Sequence, residues 1–299
     1  MLAPSRLNEA DLRLLRIFRT VVDCGGFSAA ETELNISRSA ISQHMSELEE
    51  RLGLTLCQRG RAGFRLTEQG KGVYAALLRL MAAVENFRGE VSALRQHLRG
   101  ELNIGITDNL VTFPRMRVTR ALRALKLKGP EVRVNIRMSS PSEIERGVLD
   151  GQLHVGVTPT DRLLPGLKAF PLYDEISHLY CATNHPFFGR PDAELDDATI
   201  AEADAVVRSG RSACSHGGLP LRVTATAADR EGVAFLILTG CYIGFLPNHY
   251  ARQWQERGQM RAIRPKTYGQ RVEYQAVTQR DRQTGLILST FMELMNAAE

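Results

Sequence analysis

The sequence predicts an α/β chain in three parts. These are an N-terminal winged helix-turn-helix over residues 1–67, a long linker helix over 68–99, and an α/β region over 100–299. Three observations carry this. Two short amphipathic helices flank a polar turn around Asn35-Ile36-Ser37. A heptad of apolar residues runs from Val73 to Leu98. Beyond Gly100 strand-like and helix-like runs alternate.

Asn8 and Asp11 open the first helix, and Leu12, Leu15, Phe18 and Val22 give it an apolar stripe that ends at Gly25-Gly26. Ser28 stands three residues before Glu31, a capping-box spacing that predicts a helix start there. That helix stops at Asn35, a residue that tolerates left-handed backbone, and Ser37 caps the next one. In the second helix Ile41, Met45, Leu48 and Leu52 form the buried stripe. Ser39, Ser42, Gln43 and Ser46 fall on the other side, with Ser37 and Arg38 at the first turn. Short hydrogen-bonding side chains and a guanidinium are the set that reaches base edges in a DNA major groove. No acidic residue lies between Leu34 and Ser46 to repel phosphate. Two apolar runs, Leu54 to Cys57 and Phe64 to Leu66, predict a hairpin wing whose Arg59 and Arg61 grip phosphate, with Arg65 nearby.

Thr67 and Glu68 start a long helix to about His97, some ~45 Å in length. Its positions Val73, Leu77, Leu80, Val84, Phe87, Val91, Leu94 and Leu98 step by three and four, the seam of a coiled coil. Leu77, Leu80, Val84, Phe87, Val91 and Leu94 are therefore the expected dimer contacts. Two recognition helices would then meet a pseudo-palindromic site.

From Leu102 to Thr107 the chain reads as a strand, then as a helix near Thr112 to Leu127, then as a strand alternating through Val132, Val134, Ile136 and Met138. Ser140-Pro141-Ser142-Glu143 opens a helix that ends at Asp150-Gly151, and Leu153 to Val157 is the next strand. Two βαβ units in succession imply a parallel sheet. Further on come a strand from Leu179 to Thr183, a capped helix starting at Thr226 with Asp229, and a strand from Ile243 to Leu246. A strand from Tyr274 to Val277 and a helix from about Thr284 to Ala297 return to the first sheet. The uncharged stretch from Gly232 to Asn248 approaches the length of a membrane span, but Gly240 and Pro247 interrupt it. It reads as a buried helix, a turn and a core strand.

The net charge is +5, yet residues 1–70 hold nine basic and nine acidic side chains. Nucleic-acid binding therefore rests on where the arginines sit, not on a basic domain. The cysteines at 24, 57, 181, 214 and 241 are scattered and form no Cys-x-x-Cys, which suits a reducing compartment and buried thiols, with a redox switch as the alternative. The charged N-terminus does not read as a signal peptide, so the expected location is cytoplasmic, with no membrane partner. No nucleotide-binding glycine motif, His-Glu-x-x-His pair or nucleophile elbow preceded by a strand occurs. No catalytic residue, metal or cofactor is therefore expected. His44 is expected to be solvated or to contact DNA.

The segment from about Leu12 to Gly70 resembles the DNA-binding domain of LysR-type transcriptional regulators. The resemblance lies in Phe18, Phe27-Ser28-Ala29-Ala30, Ile36-Ser37, Ala40-Ile41-Ser42, Leu48-Glu49, Leu52-Gly53 and Leu66-Thr67-Glu68-Gln69-Gly70. Arg38-Ser39 and Gln43 depart from the residues common in that family, so the mode of docking carries over and the base preference does not. Residues 100–299 likewise resemble the family's two-lobed effector domain, itself similar to periplasmic solute-binding proteins. Lobe 1 would span about 100–168 and 268–299, and lobe 2 about 169–267.

Ligands in open α/β sheets bind beyond the carboxyl ends of strands. That rule selects Thr107, Asp108, Asn109, Ser139, Ser140 and Thr158, and Thr226 across the cleft. Ser140 and Thr226 are expected at helix N-termini, which favour anions. A small carboxylate-bearing metabolite is the expected effector, while Asp108 admits an ammonium group. The resemblance implies a ligand-switched, sequence-specific DNA-binding regulator, dimeric or a dimer of dimers, with RNA polymerase as a further candidate partner. A solute-binding protein, or an enzyme with an appended DNA-binding head, is the alternative.

Overall fold

A computed structural model describes residues 8–60, 63–93, 98–114, 117–159, 163–209, 219–280 and 285–297. The chain forms two units, which divide at Phe87 and Arg88.

In the first unit, α1 (Glu9–Asp23) starts where expected, and it does so with a capping box: the Asn8 side chain accepts from the Asp11 amide, and Asp11 accepts from the Asn8 amide. Helix α2 (Phe27–Leu34) starts before Ser28, capped by the backbone of Gly26 and by no side chain. The expected Ser28–Glu31 box does not form. The Glu31 carboxylate reaches instead across the turn and accepts from the Arg38 amide, at the amide-rich end of α3 (Arg38–Leu52). Asn35 takes the left-handed conformation (φ 52°), and the Ser37 hydroxyl accepts from the Ala40 amide at 3.3 Å.

The wing strands are β1 (Cys57–Gly60) and β2 (Gly63–Leu66), paired antiparallel. The first lies later than its apolar run suggests. Glu49 of α3 accepts from the Leu56 and Cys57 amides, so Leu54 to Leu56 form a strap over the helix rather than a strand. Thr67 caps α4 (Glu68–Ala93) as expected, accepting from the Gly70 amide at 2.9 Å. A Cβ at Gly70 would lie 1.9 Å from the Leu56 carbonyl oxygen, so only glycine lets α4 pass the strap. Phe18, Val21, Ile41, Met45, Leu48, Leu56 and Leu77 are buried together in the core of this unit.

The second unit is built on a nine-stranded sheet in the order β4-β3-β5-β11-β6-β9-β7-β8, with β10 on β6. Strand β3 (Arg99–Ile106) pairs in parallel with β4 (Glu131–Met138) and β5 (Val155–Pro159), the predicted double βαβ. At the other end β7 (Asp204–Arg208) pairs in parallel with β8 (Arg222–Ala227) and β9 (Ile243–Pro247). Two long antiparallel strands, β6 (Leu167–Ala182) and β11 (Gln270–Gln279), join the halves, and β10 (Met260–Ala262) flanks β6. Each half has its own core. Leu102, Ile104, Val155, Leu125 and Phe291 fill one. In the other, Leu179, Ile200 and Ile243 lie on one face of the sheet, and Tyr180, Val206, Ile237 and Leu246 on the other.

Helices α5 (Arg117–Lys128), α6 (Pro141–Leu149) and α10 (Leu286–Asn296) belong to the first half, and α7 (Asp197–Glu202), α8 (Arg230–Leu238) and α9 (Asn248–Glu256) to the second. Helix α5 starts later than predicted. Pro114 holds Phe113 extended (φ −70°, ψ 130°), and a short 3-10 turn fills residues Leu110–Thr112. Thr226 is not at a helix start. It lies on β8, where burial alternates residue by residue, and Asp229 is the cap of α8, accepting from the Gly232 amide at 2.8 Å. Gly232 to Asn248 is the predicted helix, turn and strand. No helix among the described residues is long and apolar enough to cross a membrane.

Candidate functional sites

Helix α3 offers an exposed polar face in the first unit. Ile41, Met45 and Leu48 are buried, while Arg38, Ser39 and Gln43 are exposed and Ser42 is half-buried. Ser37 is exposed too, but its hydroxyl is engaged by the Ala40 amide and by Ser39 at 2.9 Å. The face is held from behind. Arg51 bridges Asp11 of α1 at 2.9 Å and Glu47 at 2.8 Å, and Phe27 meets Phe64 of the wing edge-on at 5.8 Å. Arg65 is exposed on β2. The side chain of Arg59, and Arg61 entirely, lie outside the described residues.

On α4 the predicted seam divides. Leu77 is 2% exposed in the core of the first unit and Val73 packs against it, so Leu77 is not presented to another helix. The reason is length: the first turns of α4 must cover α1 and the strap before the helix runs free. Leu80 and Val84 are half-buried, and Phe87 and Val91 are 66% and 40% exposed. Leu94 and the expected end at His97 lie outside the described residues.

The second unit holds a cleft of about 1070 Å³ between its halves. One wall carries Ser139, Ser140, Glu143 and Arg146, and the other Arg208, Ser209, Asp229 and Arg230, with Asp108 at its floor. Gly156 lets α6 lie close on the sheet, since a Cβ there would stand 2.3 Å from Ile144; this places the start of α6 at the cleft. Half of the Ser140 box forms: Glu143 accepts from the Ser140 amide at 3.0 Å, and the Ser140 hydroxyl donates to the same carboxylate at 2.9 Å. Those bonds hold the Glu143 carboxyl below its ordinary pKa. They also engage the Ser140 donors that were expected to meet an anion.

Of the seven expected effector residues, Asp108, Ser139 and Ser140 line the cleft. Thr107 and Thr158 are fully buried and do not line it. Asn109 turns its amide to the Asp108 carboxylate at 3.2 Å, Thr226 is on β8, and neither is among the residues lining this cleft.

Sequence reasoning missed the polar network beneath the cleft. The Arg230 guanidinium, 8% exposed, donates to the Asp108 carbonyl at 2.9 Å, to Glu175 of β6 at 2.6 Å and to the Tyr274 hydroxyl of β11 at 2.7 Å. Glu175, with no exposure, also meets the His249 ring at 3.0 Å, whose other nitrogen meets Thr112 at 2.7 Å. Burial opposes the charge on Arg230, and Tyr274, Glu175 and Asp108 outweigh it, so its pKa stands above the ordinary value. Burial raises Tyr274 as well. Arg208 was findable: it ends a strand, and the carboxyl-end rule applies to it once β7 is recognised. Glu175 and His249 carried no sequence signal, since one sits mid-strand and the other in the first turn of α9.

An exposed hydrogen-bonding helix behind a wing, and a polar cleft between two α/β halves, define a DNA-binding protein with a small-molecule site. Residues 12–71 match the bacterial regulatory helix-turn-helix protein, lysR family, and residues 95–299 match the LysR substrate binding domain. The HTH-type transcriptional activator BauR of Pseudomonas aeruginosa is 53% identical over 290 residues, covering 96% of this chain and 95% of that protein. Among solved structures, full-length CbnR complexed with its target DNA aligns with a TM-score of 0.67 at 20% identity, covering 96% of this chain and 99% of that one. ArgP from Mycobacterium tuberculosis aligns at 0.60 and 20%, covering 98% and 97%. The chain belongs to the LysR family of transcriptional regulators. It is a ligand-responsive DNA-binding regulator and not an enzyme.

Proposed function

We propose that the chain is a cytoplasmic transcriptional activator whose effector is a small carboxylate-bearing metabolite. Activation is suggested by its 53% identical relative, the transcriptional activator BauR. The observation that carries the effector class is the lining of the cleft, which brings Arg146 and Ser139 of one half together with Arg208 of the other. Guanidinium and hydroxyl donors on a concave surface suit a carboxylate.

In mechanism, Arg38, Ser39, Ser42 and Gln43 read base edges from α3, with Ser37 fixing the helix start. Arg59 and Arg61 grip phosphate from the wing. Leu80, Val84, Phe87, Val91 and Leu94 of the linker helix pair two subunits, as a dimer or a dimer of dimers, and RNA polymerase is the further partner. Ligand acts by binding one arrangement of the halves better than another.

Thermal shift of the full-length chain against small carboxylates and their neutral amides tests the effector class. A binder at a hundred times its dissociation constant adds about 2.7 kcal/mol. Carboxylates should stabilise the chain where amides do not, and Arg146→Ala should weaken the effect. Hits confined to neutral compounds would overturn the assignment. On the DNA side, Arg38→Ala should relax base preference by about 1–3 kcal/mol at one position; an unchanged footprint removes Arg38 from the reading side.

A further inference from the structure

A carboxylate of the protein itself occupies the anion-accepting donors on the second half of the cleft. Asp108 follows β3 in the first half. Its Oδ2 accepts from the Arg230 amide, the first of α8, at 2.7 Å, and from the Asn109 side chain at 3.2 Å. Its Oδ1 accepts from Arg208 at the end of β7 at 3.3 Å, and its carbonyl accepts from the Arg230 guanidinium at 2.9 Å. One residue of the first half thus meets an amide and two guanidinium groups of the other. Asn109 makes this geometry by adopting the left-handed conformation (φ 63°) directly after it.

Helix capping does not account for the contact. Asp229 already caps α8 from its own chain segment, accepting from the Gly232 amide. The Asp108 carboxylate is a second acid at the same helix end, and it comes from across the cleft. A helix start with an arginine beside it is the place where a ligand carboxylate would settle.

We propose that Asp108 is a built-in occupant of these donors and a specificity-determining residue of the cleft: it denies the α8 end to a ligand carboxylate and directs that charge to the Ser139–Arg146 wall. The proposal rests on the reading of the cleft as the effector site. It makes the contact between Asp108 and α8 a fixed tie between the halves, with the ligand bound above it.

The test uses the full-length chain with sodium formate as the smallest carboxylate probe and sodium chloride at equal ionic strength as the reference. Wild type sets the reference difference between the two salts, since formate can also settle at the Ser139–Arg146 wall. Asp108→Ala should melt about 4 °C lower in chloride, and formate, entering the vacated place, should restore part of that loss. Asp108→Asn fills the place without the charge, so it should melt between the two and gain no more from formate than wild type does. If Asp108→Ala does not fold, Asp108→Ser serves the same comparison. Variants that melt with wild type, or an alanine variant that gains no more from formate than wild type does, overturn the proposal. Formate rescue alongside a silent carboxylate screen of the wild type would leave Asp108 as occupant and remove the effector reading; a positive screen without rescue would do the reverse.

Discussion

Removing the charge of Glu175 tests whether the network beneath the cleft holds the two halves of the sheet together. Glu175 lies on β6 with no exposure, and it is the carboxylate that faces both the buried Arg230 guanidinium and the His249 ring. In Glu175→Gln the shape is kept, but one acceptor becomes a donor and the guanidinium loses its buried counter-charge. Breaking one partner of a buried ion pair costs about 3–5 kcal/mol, because the remaining charge stays out of water. With a urea slope of about 2 kcal/mol/M, the unfolding midpoint should fall by about 2 M. The assay reads Trp254, the sole tryptophan, which lies on α9 with His249. The double variant Glu175→Gln with Arg230→Gln removes both charges, so its loss should be smaller than the sum of the single losses by about 1–3 kcal/mol. An unchanged midpoint in the single variant, or strict additivity in the double, would refute the claim that the pair acts as a unit.

Three further outcomes are expected. Phe87→Asp with Val91→Asp places charge on the exposed part of α4 and should weaken self-association; a sedimentation profile identical to wild type removes the helix from the dimer contact. His185 is buried, its ring nitrogen accepts from the Phe187 amide at 3.1 Å, and burial lowers its pKa below the ordinary 6.5. The unfolded chain then binds the proton more readily, so this contribution is complete above the ordinary value and is lost as pH falls through the lowered one. His185→Asn should flatten the loss of stability between about pH 7 and about pH 5, and an unaltered slope would assign that loss to other groups. Burial pushes the Cys181 thiol up to about 11, whereas Cys241 is exposed. Alkylation of the native chain should therefore mark Cys241 and spare Cys181 until unfolding, and early labelling of Cys181 would contradict its burial.

Local chemistry, written in neighbouring residues, was legible in the sequence. The helix start at Asn8 and Asp11, the bond from the Ser140 amide to Glu143, the left-handed Asn35, the Ser37 and Thr67 caps, and the βαβ order of β3 to β5 all depend on spacings of a few residues, and all formed. The family pattern was equally local, which is why the class of the protein could be read before its fold was seen.

Tertiary structure decided whatever depended on distant partners. Glu31 sits in the spacing of a box with Ser28, but the start of α3 offers its carboxylate a better partner. Leu77 fits the heptad, but the core of the first unit takes it. Thr107 and Thr158 lie close to the carboxyl ends of β3 and β5, yet both are fully buried, while Arg208 at the end of β7 lines the cleft. Asp108, Glu175, Arg230 and His249 are separated by tens of residues and meet only because β6 and β11 cross between the halves. Spacing fixes which side chains share an element; only the packing of elements brings a carboxylate at 108 to an amide at 230.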